Sequence, residues 1–340
     1  MSTQDTYILG IESSCDDTAA AVIHNDVVLS NVVANQEIHR AYGGVVPELA
    51  SRAHQQNIVP VVDQALRIAN IDKKQLSAIA FTQGPGLMGS LLVGTSFAKS
   101  LAQGLGIPLL GVNHMQAHIL AHYIKDPEQR APEFPFIALT ISGGHTQIVR
   151  VDDYFDLTVL GETIDDAVGE AFDKSAKIMG LPYPGGPLVD HYAQQGNPLA
   201  YAFTKPKVGA LEFSFSGLKT AILYFIQKET QRDPKFLETA LPDVCASIQH
   251  TIVSYLMDKL HNAVDQTGIK RVAIGGGVSA NSGIRNALNE VRNTHGWDTY
   301  IPKFAYCTDN AAMIAMVGAL MYRQGDQTPF SATAKARLKL

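Results

Sequence analysis

The apolar positions of the chain come first in short strand-like runs and later at helical spacing. Tyr7–Glu12 reads as a strand, Ala19–His24 as a second after a polar turn, and Val27–Val33 as a third beyond the Asn25-Asp26 turn signal. Over 47–69 apolar residues recur with the period of a helix, which predicts one long helix or a pair broken at Pro60. His54 on that segment reads as a packing or surface histidine. A strand at 77–82, a glycine-rich bend at Gln83–Ser90 and a helix over 91–104 follow. A strand at 107–112 then leads into a helix opening at Asn113, whose side chain suits an N-cap.

Residues 126–135 (DPEQRAPEFP) interrupt the pattern with prolines and charges and read as a linker. Beyond it the opening device returns: a strand at 136–141, a small polar turn at Ser142–Thr146, and a strand at 147–151. Two copies of one strand-turn-strand unit predict a duplicated α/β lobe. Residues 158–180 begin with a strand end and enter a helix. The stretch 181–217 is loop-rich and too long for a plain connection. Helices near 217–230 and 242–266, a strand at 270–274, a helix over 282–295, a short strand at 297–302 and an apolar helix over 311–323 complete the chain. The expected division is a first lobe over 1–128, a second over 129–310, and a helix and tail over 311–340 that pack back.

Composition narrows the class. With 340 residues, 46% hydrophobic and 17% charged, the chain can fill two separate cores. No apolar run reaches the ~18 residues of a membrane span, and Met1–Thr6 lacks the basic-then-apolar order of a secretion signal. Cys15, Cys245 and Cys307 form no CxxC pair, which fits a reducing cytoplasm rather than a disulfide framework. The formal net charge is -5. A chain that gripped nucleic acid unaided would be basic, so work on nucleic acid calls for a local basic patch or partner proteins.

The candidate chemistry centres on His114 and His118. Four residues apart on a helix, two imidazoles share a face and can reach one divalent metal; a pair of hydrogen-bonded, partly buried histidines is the plainer alternative. Asp309 is either an N-cap of the last helix, a role open to Thr308 too, or the carboxylate that completes a two-histidine site suited to Fe(II) and also Zn. His122 shares the face of His118, but eight residues of helix rise, ~12 Å, separate it from His114, too far for one ion. The first polar turn, Glu12–Thr18, offers hydroxyls and backbone N–H groups to a phosphate, with Asp16 and Asp17 beside them for a metal or water; a solvated turn has the same composition. In the second turn Ser142, Gly143, Gly144 and Thr146 allow the backbone close to a ligand. Gly275-Gly276-Gly277 at a strand end makes a floor for a flat ring or a ribose. Asp165, Asp166 and Glu170 suit a helix N-terminus electrostatically, while Asp173 lies deeper and could face a cleft. The bend at 83–90 has neither the Lys-Ser/Thr of a P-loop nor a full GxGxxG.

GIESSCDDT at 10–18, YGGVVPELASRAH at 42–54, GPGLMGSLLVG at 84–94, NHMQAHILA at 113–121, ISGGHTQ at 141–147, DDAVGEAFDKSAKIMGLPYPGGP at 165–187, FSFSGLKTA at 213–221, GGGVSAN at 275–281 and CTDN at 307–310 run in one order over nearly the whole chain. Together they resemble the TsaD/Gcp family. The resemblance implies a duplicated actin-like, sugar-kinase-like fold of the RNase-H-like (ASKHA) type. It also implies transfer of a threonylcarbamoyl group from threonylcarbamoyl-AMP to the exocyclic amine of the adenosine 3′ of the anticodon, in tRNAs reading codons that start with A. His114, His118 and Asp309 match the family's ligands for Fe(2+), one per subunit, with Zn as the other candidate. Thr140, Ile141, Ser142, Gly143, Gly144, Asp173, Gly186, Asp190 and Asn281 match positions that bind the adenylate. Asp16 or Asp17 would aid proton removal from the amine or orient water. Implied partners are a TsaB-like paralogue docked on the first lobe and a TsaE-like ATPase, in the cytoplasm. One departure is at Leu139-Thr140-Ile141, where archaeal relatives carry a metal-ligating tyrosine; water or substrate oxygens would fill that position here. Lys205, Lys207, Lys219, Arg271 and the run Lys335-Ala336-Arg337-Leu338-Lys339 are the candidate tRNA contacts.

Three rival classes remain open at this point. A small-molecule kinase or carbamoyltransferase could use the same fold, but a kinase has no need of the two-histidine helix. A chaperone-like ATPase or scaffold would not depend on His114. A metalloprotease of the HExxH type is disfavoured, since Met115 stands where its glutamate base belongs.

Overall fold

The computed structural model describes residues 5–35, 39 and 42–340. Met1–Gln4, the first part of the Met1–Thr6 stretch expected not to be a secretion signal, lies outside the described residues. Backbone proximity divides the chain into two units, Met1–Ala131 with Pro302–Leu340, and Pro132–Ile301.

In the first unit, β1 (Tyr7–Glu12), β2 (Thr18–His24) and β3 (Val27–Ala34) form an antiparallel meander. β4 (Ala78–Gly84) pairs in parallel with β1, and β5 (Leu109–Asn113) in parallel with β4, giving the order β3-β2-β1-β4-β5. Parallel neighbours need crossover connections, and α1 (Pro47–Ala69) and α2 (Met88–Leu105) supply them. α1 is one helix through Pro60, which lies on its exposed side, where water can satisfy the carbonyl that proline leaves unpaired. Successive strand residues point to opposite faces. Leu9, Ile11, Ile79 and Phe81 pack with Ile58, Val62, Ala65 and Ala98 of α1 and α2. Ile8, Gly10 and Ala80 face the other way. A short helix, α3 (His114–Leu120), follows β5.

The second unit repeats this topology. β6 (Phe136–Ile141), β7 (Thr146–Asp153) and β8 (Asp156–Glu162) form the meander, and β9 (Arg271–Gly275) and β10 (Asp298–Tyr300) add in parallel, in the order β10-β9-β6-β7-β8. β8 is a full strand where the sequence suggests only a strand end. It is an edge strand with mostly half-exposed or exposed positions, so its apolar signal is weak. α4 (Val168–Ile178), α5 (Gly185–Ala193), α6 (Ser216–Arg232), α7 (Phe236–Thr267) and α8 (Ser282–Thr294) surround a core of Ile137, Leu139, Phe172, Phe213, Phe215 and Ile248. The same strand order in both units is the duplication expected of an actin-like, sugar-kinase-like α/β fold.

The chain then returns to the first unit through α9 (Ala311–Gln324), in which Ala311 through Leu320 are all buried. A helix apolar all round has to be covered all round, and α9 lies against β1, β2, β4 and α3. Glycines permit the close seat. A Cβ on Gly10 would stand 2.4 Å from the Ala311 carbonyl oxygen, and one on Gly318 2.5 Å from the Ala80 Cβ. Residues 302–310, expected with the second lobe, group with the first instead. Lys303 Nζ and the Tyr306 hydroxyl both reach Asp126 at 3.1 Å, which ties this segment to the end of the first unit. Among the described residues no helix is long and apolar enough to cross a membrane.

Candidate metal centre and its supporting loops

α3 begins where β5 ends because Asn113 turns the chain. Its Oδ1 accepts from the backbone N–H groups of Met115 (2.9 Å) and Gln116 (3.3 Å), two donors a new helix leaves unpaired. His114 and His118, both buried, then project one turn apart. At the start of α9 the cap is Asn310, whose Oδ1 accepts from Met313 N at 3.0 Å. The capping role considered for Asp309 thus falls to its neighbour, and the Asp309 carboxylate is left to face the histidines.

His114 Nε2 stands 3.4 Å and His118 Nε2 3.2 Å from Asp309 Oδ1, and the two Nε2 atoms are 3.2 Å apart. Ligand bonds of about 2.1 Å separate neighbouring donors by roughly 3.4 Å at a tetrahedral angle and roughly 3.0 Å at an octahedral one. The observed triangle lies in that range. Two nitrogen lone pairs and a carboxylate oxygen aimed at one point repel each other unless a proton or a cation stands between them. The donor set therefore fits a divalent transition metal. Among the described residues it is the only such group of three. His122 sits in the buried turn Ala121–Tyr123 outside it, as its helical offset foretold.

The sequence reading missed Glu12 and Thr82. Glu12 ends β1 fully buried, and its Oε2 lies 2.9 Å from His114 Nδ1 and accepts from the Thr82 hydroxyl at 2.6 Å. Its Oε1 accepts from Ser14 N at 2.5 Å. A carboxylate in that position accepts, so His114 carries its proton on Nδ1 and presents the Nε2 lone pair. Burial pushes the Glu12 carboxyl up, but the adjacent His114 outweighs it and the group is held below its ordinary range. For His114 burial works against the charged form, yet Glu12 and Asp309 raise its pKa well above the usual value, so with no cation between the donors the ring holds a second proton on Nε2, and an ion has to displace that proton to take the lone pair. Burial lowers His118 and leaves it a neutral donor. Asp309 is likewise held low by the two histidines against the effect of burial. The available signal was a carboxylate inside an otherwise apolar strand, an expensive placement without a partner.

The turn after Glu12, which carries Asp16 and Asp17, is fixed from several sides. Ser14 O accepts from Leu87 N at 2.7 Å, and Cys15 O from the Ser90 hydroxyl at 2.8 Å. His54, completely buried, places Nε2 3.0 Å from Cys15 O and Nδ1 2.8 Å from the Thr18 hydroxyl. A carbonyl can only accept, so Nε2 carries the proton and Nδ1 accepts from Thr18. A Cβ on Gly86 would meet Ser14 O at 2.4 Å and one on Gly94 the Ser13 hydroxyl at 2.2 Å, so close packing accounts for Gly86 of the bend and Gly94 of α2. Burial first, then the charges of Asp16, Asp309 and Glu12, push the Asp17 carboxyl up to about 7.

The remaining site candidates cluster within the second unit. Gly169 N donates to Ser142 O at 3.2 Å, and Gly276, with φ +89, brings its Cα so close that a Cβ would stand 2.4 Å from Ile141 O. Gly143 and Gly144 are exposed with open space beside them, whereas the Thr140 side chain is buried. Asp173 Oδ1 accepts from Gly185 N (2.8 Å) and Gly186 N (3.0 Å), so it caps α5; burial nevertheless raises its pKa. On α5, Asp190 accepts from Ser282 N (3.0 Å) and the Ser282 hydroxyl (2.6 Å) and so caps α8. Asn281 accepts from Ile284 N at 3.1 Å and donates to Gln249 at 2.8 Å. Asp165 accepts from Ser214, Phe215 and Ser216 and pins the long loop. Of the basic candidates, Lys205 pairs with Asp258, Lys219 with Asp166 and Arg271 with Glu133.

The family model described as TsaD, tRNA N6-adenosine threonylcarbamoyltransferase, matches residues 27–316. The chain belongs to this family. A relative of that name from Christiangramia forsetii is 67% identical over 339 residues, covering 100% of both chains. One from Porphyromonas gingivalis is 56% identical over 337 residues, covering 98% of this chain and 99% of its own. TsaD membership makes the protein a transferase of tRNA modification. Solved structures share the fold. Component A of the (R)-2-hydroxyglutaryl-CoA dehydratase of Acidaminococcus fermentans superposes with a TM-score of 0.52 at 15% identity, covering 93% of this chain and 97% of its own. Full-length HypF superposes with a TM-score of 0.60 at 13% identity, covering 96% of this TsaD-family chain and 47% of its own.

Proposed function

We propose that the chain transfers the threonylcarbamoyl group of threonylcarbamoyl-AMP to the exocyclic amine of the adenosine 3′ of the anticodon, in tRNAs reading codons that start with A. The observation that carries the chemistry is the convergence of His114, His118 and Asp309 on one point. These three would hold Fe(2+), with Zn as the alternative. The ion would supply Lewis acidity toward a phosphate or carbonyl oxygen of the donor.

The acceptor amine is a weak nucleophile because its lone pair is delocalised into the purine. Positioning and charge stabilisation therefore carry most of the rate. Thr140, Ile141, Ser142, Gly143, Gly144, Asp173, Gly186, Asp190 and Asn281 would hold the adenylate, and the open backbone at Gly143-Gly144 offers N–H groups to a developing oxyanion. Asp17, held near 7, is poised to take the proton that the amine releases as it attacks; Asp16 beside it keeps that pKa up. A TsaB-like paralogue and a TsaE-like ATPase would complete the assembly, in a reducing cytoplasm where the three cysteines stay free. Met115 is buried on the histidine helix and offers no base, which disfavours peptide hydrolysis.

The test is to purify the chain without chelator, quantify bound metal, and assay transfer to an unmodified tRNA transcript with the partner subunits present. Stoichiometric metal, and transfer that is lost in His118→Ala, are expected. A variant that transfers at the wild-type rate, or a loaded protein that transfers nothing, would overturn the assignment.

A further inference from the structure

The segment Thr328–Leu340 crosses the first unit without helix or strand, turning at Phe330-Ser331 and again at Ala336-Arg337, and is held largely by its backbone. Thr328 N donates to Leu109 O at 2.7 Å and its hydroxyl accepts from Gly111 N at 2.7 Å, so the segment first covers the open edge of β5. Farther on, Lys335 N donates to Gln83 O at 2.8 Å, Ala336 O accepts from Gly86 N at 3.2 Å, and Lys339 O accepts from Asn113 Nδ2 at 2.9 Å. The segment is thus a strap fastened to the bend at 83–86 and to the cap of the histidine helix, one residue from His114.

Its side chains alternate. Ala334 is buried and Ala336 and Leu338 half-buried, with the Leu338 Cβ 3.2 Å from where a Cβ on Gly84 would stand; Lys335, Arg337 and Lys339 are exposed. Among the described residues none of the three cations is in an ion pair. Of the other candidates, Lys205, Lys219 and Arg271 are each paired with a carboxylate, while the exposed Lys207, in no ion pair among the described residues, is not part of such a row. The strap's supports Gln83, Gly86 and Asn113 are neutral, and Lys99, which donates to the Ala332 carbonyl oxygen, is cationic. A chain with a formal net charge of -5 that modifies tRNA needs a local cationic surface, and this row is one whose backbone is already ordered.

We infer that Lys335, Arg337 and Lys339 form a rail for the phosphodiester backbone of the tRNA, fixing its strand beside the metal centre. The inference rests on the tRNA-modifying reading above, and deepens it. Phosphate contacts fix position and register rather than sequence. Removing them should weaken every tRNA substrate alike.

The experiment measures binding of a tRNA transcript to the full chain across a salt series, together with transfer kinetics. The triple variant Lys335→Gln, Arg337→Gln, Lys339→Gln should weaken binding about tenfold to a hundredfold and lower the slope of log Kd against log salt by about 2, at about 0.7 per phosphate on a single strand. The loss should appear in KM for tRNA rather than in kcat, with bound metal unchanged. Lys335→Arg with Lys339→Arg should retain affinity, and Lys73→Gln with Lys74→Gln, removing charge elsewhere, should retain the slope. An unchanged slope in the triple variant overturns the rail while leaving the transferase reading intact. A loss confined to binding of a partner protein also overturns it and assigns the row to an acidic protein surface. Wild-type chain that neither binds nor modifies tRNA with the partner subunits present overturns the transferase reading itself.

Discussion

Glu12→Gln tests the orientation argument at the metal centre. The carboxylate serves three donors at once: Ser14 N at Oε1, and His114 Nδ1 with the Thr82 hydroxyl at Oε2. An amide of the same shape has one oxygen and one NH2. With the oxygen toward Ser14, its NH2 faces His114 Nδ1, which must then accept; the imidazole proton moves to Nε2 and occupies the lone pair meant for the ion. With the amide flipped, the NH2 faces the Ser14 N–H across 2.5 Å, two donors with nothing between them. Either arrangement costs the favoured tautomer or a buried hydrogen bond, about 1–3 kcal/mol. That corresponds to about 10- to 100-fold in metal affinity, the usual range for partners that orient a ligating histidine. Competition titration of the chelator-stripped protein with a chromogenic chelator reads the affinity directly, and far-UV circular dichroism checks that the fold persists. Wild-type affinity in a folded Glu12→Gln protein would refute the claim that Glu12 sets the tautomer of His114.

Asp309→Asn keeps the volume but removes the anionic donor, and bound metal measured by elemental analysis should fall at least about 100-fold in affinity while the fold is retained. His54→Ala removes two buried hydrogen bonds and opens a cavity beneath the Asp16-Asp17 turn. Urea unfolding should show a loss of about 2–4 kcal/mol, and a loss below about 1 kcal/mol would contradict the anchoring role. Asp17 has a pKa raised from an ordinary 3.8 to about 7, so the unfolded chain gives up this proton first. Its protonated form therefore favours the folded state below about pH 4, and that advantage is lost as pH rises through 7. In chelator-treated protein Asp17→Asn should be the more stable of the two at pH 8, by about 1–2 kcal/mol after solvent screening, and match wild type at pH 4. An equal difference in thermal midpoint at both pH values would remove the buried-carboxyl account.

The sequence by itself determined the repeated meander, because strand-turn-strand patterning is local and both copies carry it, at 7–33 and from 136 onward. It determined the histidine pair too, since a four-residue offset on a helix fixes a shared face and Asn113 is a local cap. The half-exposed edge strand Asp156–Glu162 escaped because its pattern is weak. The third member of the candidate metal group, Asp309, was legible only as one of two alternatives. Whether Asp309 caps a helix or meets His118 depends on α9 seating against β1 through Gly10 and Gly318, a contact between positions some three hundred residues apart. Glu12 and His54 were decided the same way. Each is a polar side chain in an apolar element, and what it does is set by a partner the chain brings from elsewhere: His114 for one, Cys15 and Thr18 for the other. Local pattern fixes which way a side chain leaves the backbone. Only packing fixes what it finds there, since a buried polar atom takes its meaning from the hydrogen bond that made its burial affordable.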